Sequence, residues 1–401
     1  MPAKPQTTPA PDGSSWSLAL PFLEDAIQAA ISDTNTTDID FIVVAQGVYH
    51  PGDTTTSPNN TDQSKSFVLQ PRMRIGGGFR GIAGLPSNAN DRDPSTYVTI
   101  LSGDLDDDDV DSHVDGLHQA ARNENSFLVV QVSDFSTPVD DVAELDGLVI
   151  RDGQSSYSWL GAGIFVPTDC NPNIRNCVIK KNRIINNGLG SDGAGIYVEM
   201  NASLFNLTIL IEDTVIEDNE SGAGGGIALS NYSKARLTGC TVRHNKATGV
   251  GGGGLMAHDF ALFTLLDCDV SENTAISEYG PAGGGVRIVK DAELYMKNST
   301  VRLNEAIDTG AFVCGGGGIY VAGRSRADIV STTIEGNSAS GLGVVDGGGV
   351  YVDTDEENMP ASRLINTMIH DNDATTSHEE TFSQGGGIFV GQPENCTRRT
   401  A

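Results

Sequence analysis

The densest set of oxygen ligands in the chain is DLDDDDVDSHVD at 104–115. Asp104, Asp106, Asp108, Ser112 and Asp115 stand at positions 1, 3, 5, 9 and 12 of a calcium loop, a spacing that lets one turn wrap a hard cation. Asp109 occupies position 6, where such a loop needs glycine. No helix pattern flanks the run. It is therefore either a calcium site or a solvated acidic loop. A second set is aromatic. After each of eight glycine-led runs one side chain is expected to point outward: Phe165, Tyr197, Ala228, Met256, Arg287, Tyr320, Tyr351 and Phe389. In a chain with only 6% aromatic residues, five of these eight are aromatic. Stacked in a row, Phe165, Tyr197, Arg287, Tyr320, Tyr351 and Phe389 would form a platform for sugar rings or a protein-contact patch. The alternative is a row that stacks on itself or lies under a loop.

Catalytic chemistry finds less support. A glycoside hydrolase needs two carboxylates across one bond. The outward row that follows each post-corner strand reads Lys180, Glu217, Arg243, Ser271, Arg302, Glu335 and His370, with no two carboxylates adjacent. No phosphate loop and no His/Cys metal spacing occurs. No catalytic residue is assigned.

The elements that must position these residues are repeats. The glycine-led runs are GAGIFV, GAGIYV, GGGIAL, GGGLMA, GGGVRI, GGGIYV, GGGVYV and GGGIFV, between 161 and 390. In phase with them runs a [Cys/Ser/Thr]-x-[Val/Ile]-x-x-Asn motif ending at Asn182, Asn219, Asn245, Asn273, Asn304, Asn337 and Asn372, with Gly153 in the Asn place of an eighth copy. A period near 31 residues means stacked units that bury a shared core. Each unit shows three stretches of period-two alternation. Turn formers at Asn176, Asp213, Gly239, Asp267, Asn298, Ser331 and Asn366 place a corner between the second and third. The expected architecture is all-β: a right-handed, single-stranded parallel β-helix with three short strands per coil. The asparagines are expected to take the left-handed region or to bond along the axis. The residues between each Asn and the next glycines vary in number and read as loops along one edge.

Residues 1–15 read as a disordered segment without the apolar stretch of a signal peptide. Residues 16–110 read as a cap and the first coils, with LPFLEDAIQAAI at 20–31 as an amphipathic helix over the open end. Residues 111–401 hold the repeats. They end without a capping element, so a truncated C-terminus is expected. Of six cysteines, Cys177, Cys240 and Cys268 share one inward position and are expected as buried thiols; Cys170 and Cys177 could close a small loop. A net charge of −28 argues against nucleic acid and anionic membranes as partners. No run of 18 apolar residues suggests a membrane helix. A monomer is expected.

The runs EDAIQAA, IVVAQGVY, SFVLQPRMRIGGGFRG and TILSGDLD resemble the N-terminal part of secreted bacterial right-handed β-helix proteins. The paired GGG[IVL] and [VI]xxN repeats resemble those of chlamydial polymorphic outer-membrane proteins, although Val or Ile replaces their Phe and residues 1–401 hold no translocator barrel. The resemblance spans about residues 20–390. It implies a pectin-lyase-like fold and a secreted or cell-surface setting. The expected function is a non-enzymatic, adhesin-like module binding a polysaccharide or a surface protein. Alternatives are a polysaccharide lyase or glycoside hydrolase, and a passive stalk.

Overall fold

A computed structural model describes residues 11–391, except 33–39, 82–89, 110–121, 134–142, 157–160, 169, 186–191, 200–206, 311, 354–359 and 378–382. The chain winds as a parallel β-solenoid. Three ten-stranded parallel sheets run its length, as the three alternating stretches predict. One coil shows the plan. The glycine-led strand Ile227–Ser230 is followed by Lys234–Thr238, a corner at Gly239, and Thr241–Arg243. Each pairs in register with the next coil, so Ile227 meets Leu255, Leu237 meets Leu265, and Val242 meets Val270. These inward columns are fully buried and make one continuous core. The helix Leu23–Ser32 lays Leu23 and Ile27, one turn apart, against that core, which also holds Val44 and Phe67.

The corner residues Asn176, Asp213, Gly239, Asp267, Asn298, Ser331 and Asn366 all have positive φ, as the turn chemistry predicts. The asparagines of the second motif do not. The left-handed residue is the one before each, such as Asp218, His244 or Glu272. The reason is that the asparagines face inward as a ladder. Asn245 Nδ2 donates to Asn273 Oδ1 at 3.0 Å and to the carbonyls of Ile216 and Arg243 at 2.9 and 3.0 Å. Its own Oδ1 accepts from Nδ2 and backbone N–H of Asn219, at 2.9 and 3.1 Å. The ladder runs from Asn182 to Asn372 without a break. Gly153, in the Asn place of the eighth copy, donates its N–H to Asn182.

The glycines meet this ladder in space. Gly224 has φ +57. A Cβ on Gly225 would lie 2.5 Å from the Lys246 carbonyl, and one on Gly226 would lie 2.7 Å from the Gly254 carbonyl and 3.1 Å from the Asn245 amide. The two in-phase motifs are thus two sides of one contact.

A further ladder appears where loops were expected. Glu220–Ala223, Lys246–Gly251, Thr274–Ser277, Glu305–Asp308, Ser338–Gly341 and Asp373–Thr376 are short strands that directly follow the asparagines. The ladder holds these backbones in register, and small inward residues, Ala247, Ala275, Ala306 and Ala339, let them close under the glycines. Only the residues beyond them vary freely. Cys177, Cys240 and Cys268 are buried thiols as expected, and Cys314 joins them. The Cys170–Cys177 bridge does not form: Cys170 Sγ donates to Ser133 O at 2.9 Å and Cys177 Sγ to Arg175 O at 3.1 Å. Burial pushes the Cys177 pKa up to about 12.

An Asn273→Ala substitution removes a rung and strands polar groups of Asn245 and Val242 in a dry core. It should cost about 2–4 kcal/mol in urea denaturation, whereas breaking the surface Arg302–Asp269 pair should cost under about 1 kcal/mol. Equal losses would remove the ladder from its central role.

Candidate functional site

The outward row after the glycines stacks along the axis. Ring centroids lie 5.8 Å apart for Phe165–Tyr197, 4.9 Å for Tyr320–Tyr351 and 5.2 Å for Tyr351–Phe389. The Arg287 guanidinium sits 5.8 Å from the Tyr320 ring centroid. An open platform is not what results. Phe165, Tyr197, Ala228, Met256 and Tyr351 are buried, and only Arg287, Tyr320 and Phe389 keep part of their surface in solvent. The cause is the chain segment just before each glycine run. Ala223 and Val250 pack on this row in one apolar cluster with Leu128 and Val289. Farther along, a Cβ on Gly315 would lie 2.7 Å from the Tyr351 ring.

Polar groups gather in the middle of this face. His258 directly follows the strand Leu255–Ala257 and lies between two carboxylates: Nε2 is 3.4 Å from Asp192 and Nδ1 is 2.5 Å from Asp259. Burial pulls the His258 pKa down, but the Asp192 and Asp259 carboxylates beside the ring outweigh this and raise it. Lys290 Nζ approaches Asp259 at 3.7 Å. One coil earlier, Ser230 Oγ lies 3.2 Å from the Tyr197 hydroxyl, whose pKa burial pushes up to about 12. Tyr197, Arg287 and Tyr320 were expected here; His258, Asp192 and Asp259 were not. His258 falls two residues past the outward row, in a column that reads Glu199, Ser230, His258, Val289 and Ala322. Reading that column would have found it.

Both borders of the face carry exposed aromatics. At the corner following the glycine-led strands, Tyr232 and Phe260 stack at 4.7 Å and 5°. They are 47% and 48% exposed and have φ of 65° and 67°. A bulky residue in that region is strained, and here burial does not explain it. At the other border, Tyr279, Phe312 and Leu342 are exposed on successive variable segments. The outward row of the third sheet forms ion pairs across coils, Glu217–Arg243 at 2.7 Å and Glu335–His370 at 3.2 Å, as expected of a solvated mixed-charge face.

Among the described residues, two members of the acidic run share a carboxylate cluster with Glu124. Oxygens of Asp104, Asp108 and Glu124 lie within 4.8 Å of one another. Asp106 is exposed and takes no part, and Ser112 and Asp115 lie outside the described residues. Asp104 turns back to accept the N–H groups of Asp108 and Asp109, at 3.2 and 3.1 Å. Glu124 comes from a later segment, so loop spacing could not reveal it. Burial and the charges of Asp108, Asp109 and Asp104 raise its pKa to about 7. Burial likewise raises Asp152 to about 6, although Arg151 lies 3.0 Å away. Three carboxylate oxygens suit a hard cation chemically but fall short of the six to eight that calcium takes.

Among the described residues no helix is long and apolar enough to cross a membrane. A family model described as a right-handed β-helix region matches residues 156–356, half of the chain. No curated protein matches the chain, and no solved structure does.

Glu124 links the acidic cluster to pH. Folded, it holds its proton to about pH 7; unfolded, it releases it near the ordinary value of 4.5. Between those values the folded state binds more protons, so stability falls as pH rises. Thermal melts should show a Glu124→Gln variant losing less stability over this window than the parent. Millimolar calcium should flatten the parent's decline if the cluster holds the ion; a slope indifferent to calcium leaves an acidic loop alone.

Proposed function

The chain belongs to the right-handed β-helix family, and on that footing we propose that it is a non-enzymatic recognition protein of an extracellular or cell-surface setting. It grips a polysaccharide, or alternatively a surface protein, along the face bordered by Tyr232 and Phe260 on one side and Tyr279 and Phe312 on the other. The observation that carries this reading is the Tyr232–Phe260 pair. Two bulky rings are held in the left-handed region, which costs on the order of 1 kcal/mol or more per residue, and are left half in solvent. Neither the core nor the ladder uses them. Aromatic side chains presented this way supply large contact area at small entropy cost. The pectin-lyase-like and polymorphic outer-membrane-like resemblances fit the setting.

The buried row has a supporting role here. It stiffens the face from below, and only Arg287, Tyr320 and Phe389 reach the ligand side. A second reading, a polysaccharide lyase or glycoside hydrolase, draws on His258 between Asp192 and Asp259. Recognition is preferred because the three groups pair with one another, and His258 and Asp192 are largely buried, with side chains 13% and 12% exposed.

Glycine relieves strain where φ is positive. A Tyr232→Gly, Phe260→Gly double variant should keep its melting temperature or gain slightly, while binding to a polysaccharide array falls at least about tenfold, or about 1.4 kcal/mol. A variant that loses stability and keeps its binding would assign the pair to the scaffold. Tyr351→Ala, by contrast, should destabilise by about 3–5 kcal/mol, since the ring is fully buried. Product release from neutral or acidic polysaccharides would restore the enzymatic reading.

A further inference from the structure

Many arginines among the described residues are matched. Arg243, Arg302, Arg324 and Arg363 each sit on a carboxylate at 3.0 Å or less. Arg287 is the exception among the residues of the outward face. It makes no hydrogen bond or ion pair among the described residues, and its Nε is buried without an acceptor. Its guanidinium lies over the face of the Tyr320 ring. Burial lowers its pKa, and only the charges of Tyr320 and Asp192 oppose this. The carboxylates nearby are already balanced: Asp192 by His258, and Asp259 by His258 and Lys290. Arg287 is therefore a surplus cation, half withdrawn from water between Met256 and Tyr320, in a chain of net charge −28.

A desolvated, unpaired guanidinium is costly unless something completes it. Its planar fork suits an oxyanion, which can accept two parallel N–H bonds. We propose that Arg287 is the anion receptor of the recognition face, and that the ligand bound there carries an oxyanion: a carboxylate, a sulfate ester or a phosphate ester. This rests on the recognition reading and adds the chemical class of the ligand. Tyr320 holds the guanidinium in place through its ring face. The acidic surface around the site repels free anions at long range, so capture depends on short-range pairing in the half-buried site, where screening is weak.

The test uses the whole chain and three probes: sodium acetate, sulfate and phosphate, each titrated against chloride at constant ionic strength. The readouts are the Arg287 Nε–H resonance and the melting temperature. At least one oxyanion should shift the resonance and raise the melting temperature, with a dissociation constant on the order of 1 mM. The responding probe distinguishes carboxylate from ester chemistry. Arg287→Met should abolish the response, and Arg287→Lys, which keeps charge and fold but not the fork, should weaken it several-fold. If no probe moves the resonance at high millimolar concentration, or if Arg287→Met responds like the parent, the receptor is overturned. Array binding that depends on Tyr232 and Phe260 but is indifferent to ligand charge would overturn it too, and would leave the recognition reading standing.

Discussion

Everything in this solenoid hangs on a buried amide ladder. From Asn182 to Asn337 each asparagine amide donates to the next asparagine oxygen and to a carbonyl of the preceding coil. It accepts from the side chain and backbone of the preceding asparagine. A polar group in a dry interior is tolerable only when nearly all its bonds are made. Meeting that condition fixes the coil-to-coil register to the residue. A slip of one position would orphan a whole rung and turn each strand's apolar residues outward. Hydrophobic columns alone, built from Ile, Val and Leu of similar shape, would resist such a slip less sharply.

The glycines are the steric counterpart of that ladder. Asn245 lies under Gly226, with no room for a Cβ between them. This explains why two motifs some twenty residues apart keep phase over the repeats: they touch. The contact also accounts for the extra strands after the asparagines. Once backbone is held beside the glycines, Lys246–Gly251 and its equivalents continue the pairing and need only alanine-sized residues inward. A purely local reading of alternation sees three strands, because Ala-Thr-Gly or Ala-Ser-Gly carries little apolar contrast.

What was legible in the sequence follows from this division. Strand columns, corners, inward thiols and the stacking of the outward row come from residue types repeated at fixed places, and each repeat reinforces the others. Exposure of the row did not follow. It depends on the segments before the glycines, where Ala223, Val250 and Ala282 share no motif that announces a cover. The acidic turn was legible only as composition. Asp104 spends its carboxylate on backbone N–H groups of its own turn, and the third carboxylate, Glu124, arrives from sixteen residues beyond Asp108. Contacts between segments that do not repeat leave no periodic trace.

The same division separates scaffold from surface. Repetition satisfies the ladder, the glycine contacts and the core, so departures from repetition carry the information about function. Tyr232 and Phe260 stand at a corner where the next coils place Asp291 and Arg324, a bidentate ion pair needing no ring. Arg287 stands in a row whose other members are aromatic, Ala or Met. His258 stands where the next coils place Val289 and Ala322. These exceptions fall in neighbouring coils on one face. The left-handed backbone recurs at that corner, at Asp291 and Arg324, so the departures lie in the side chains: two rings at the corner and one unpaired guanidinium in the row.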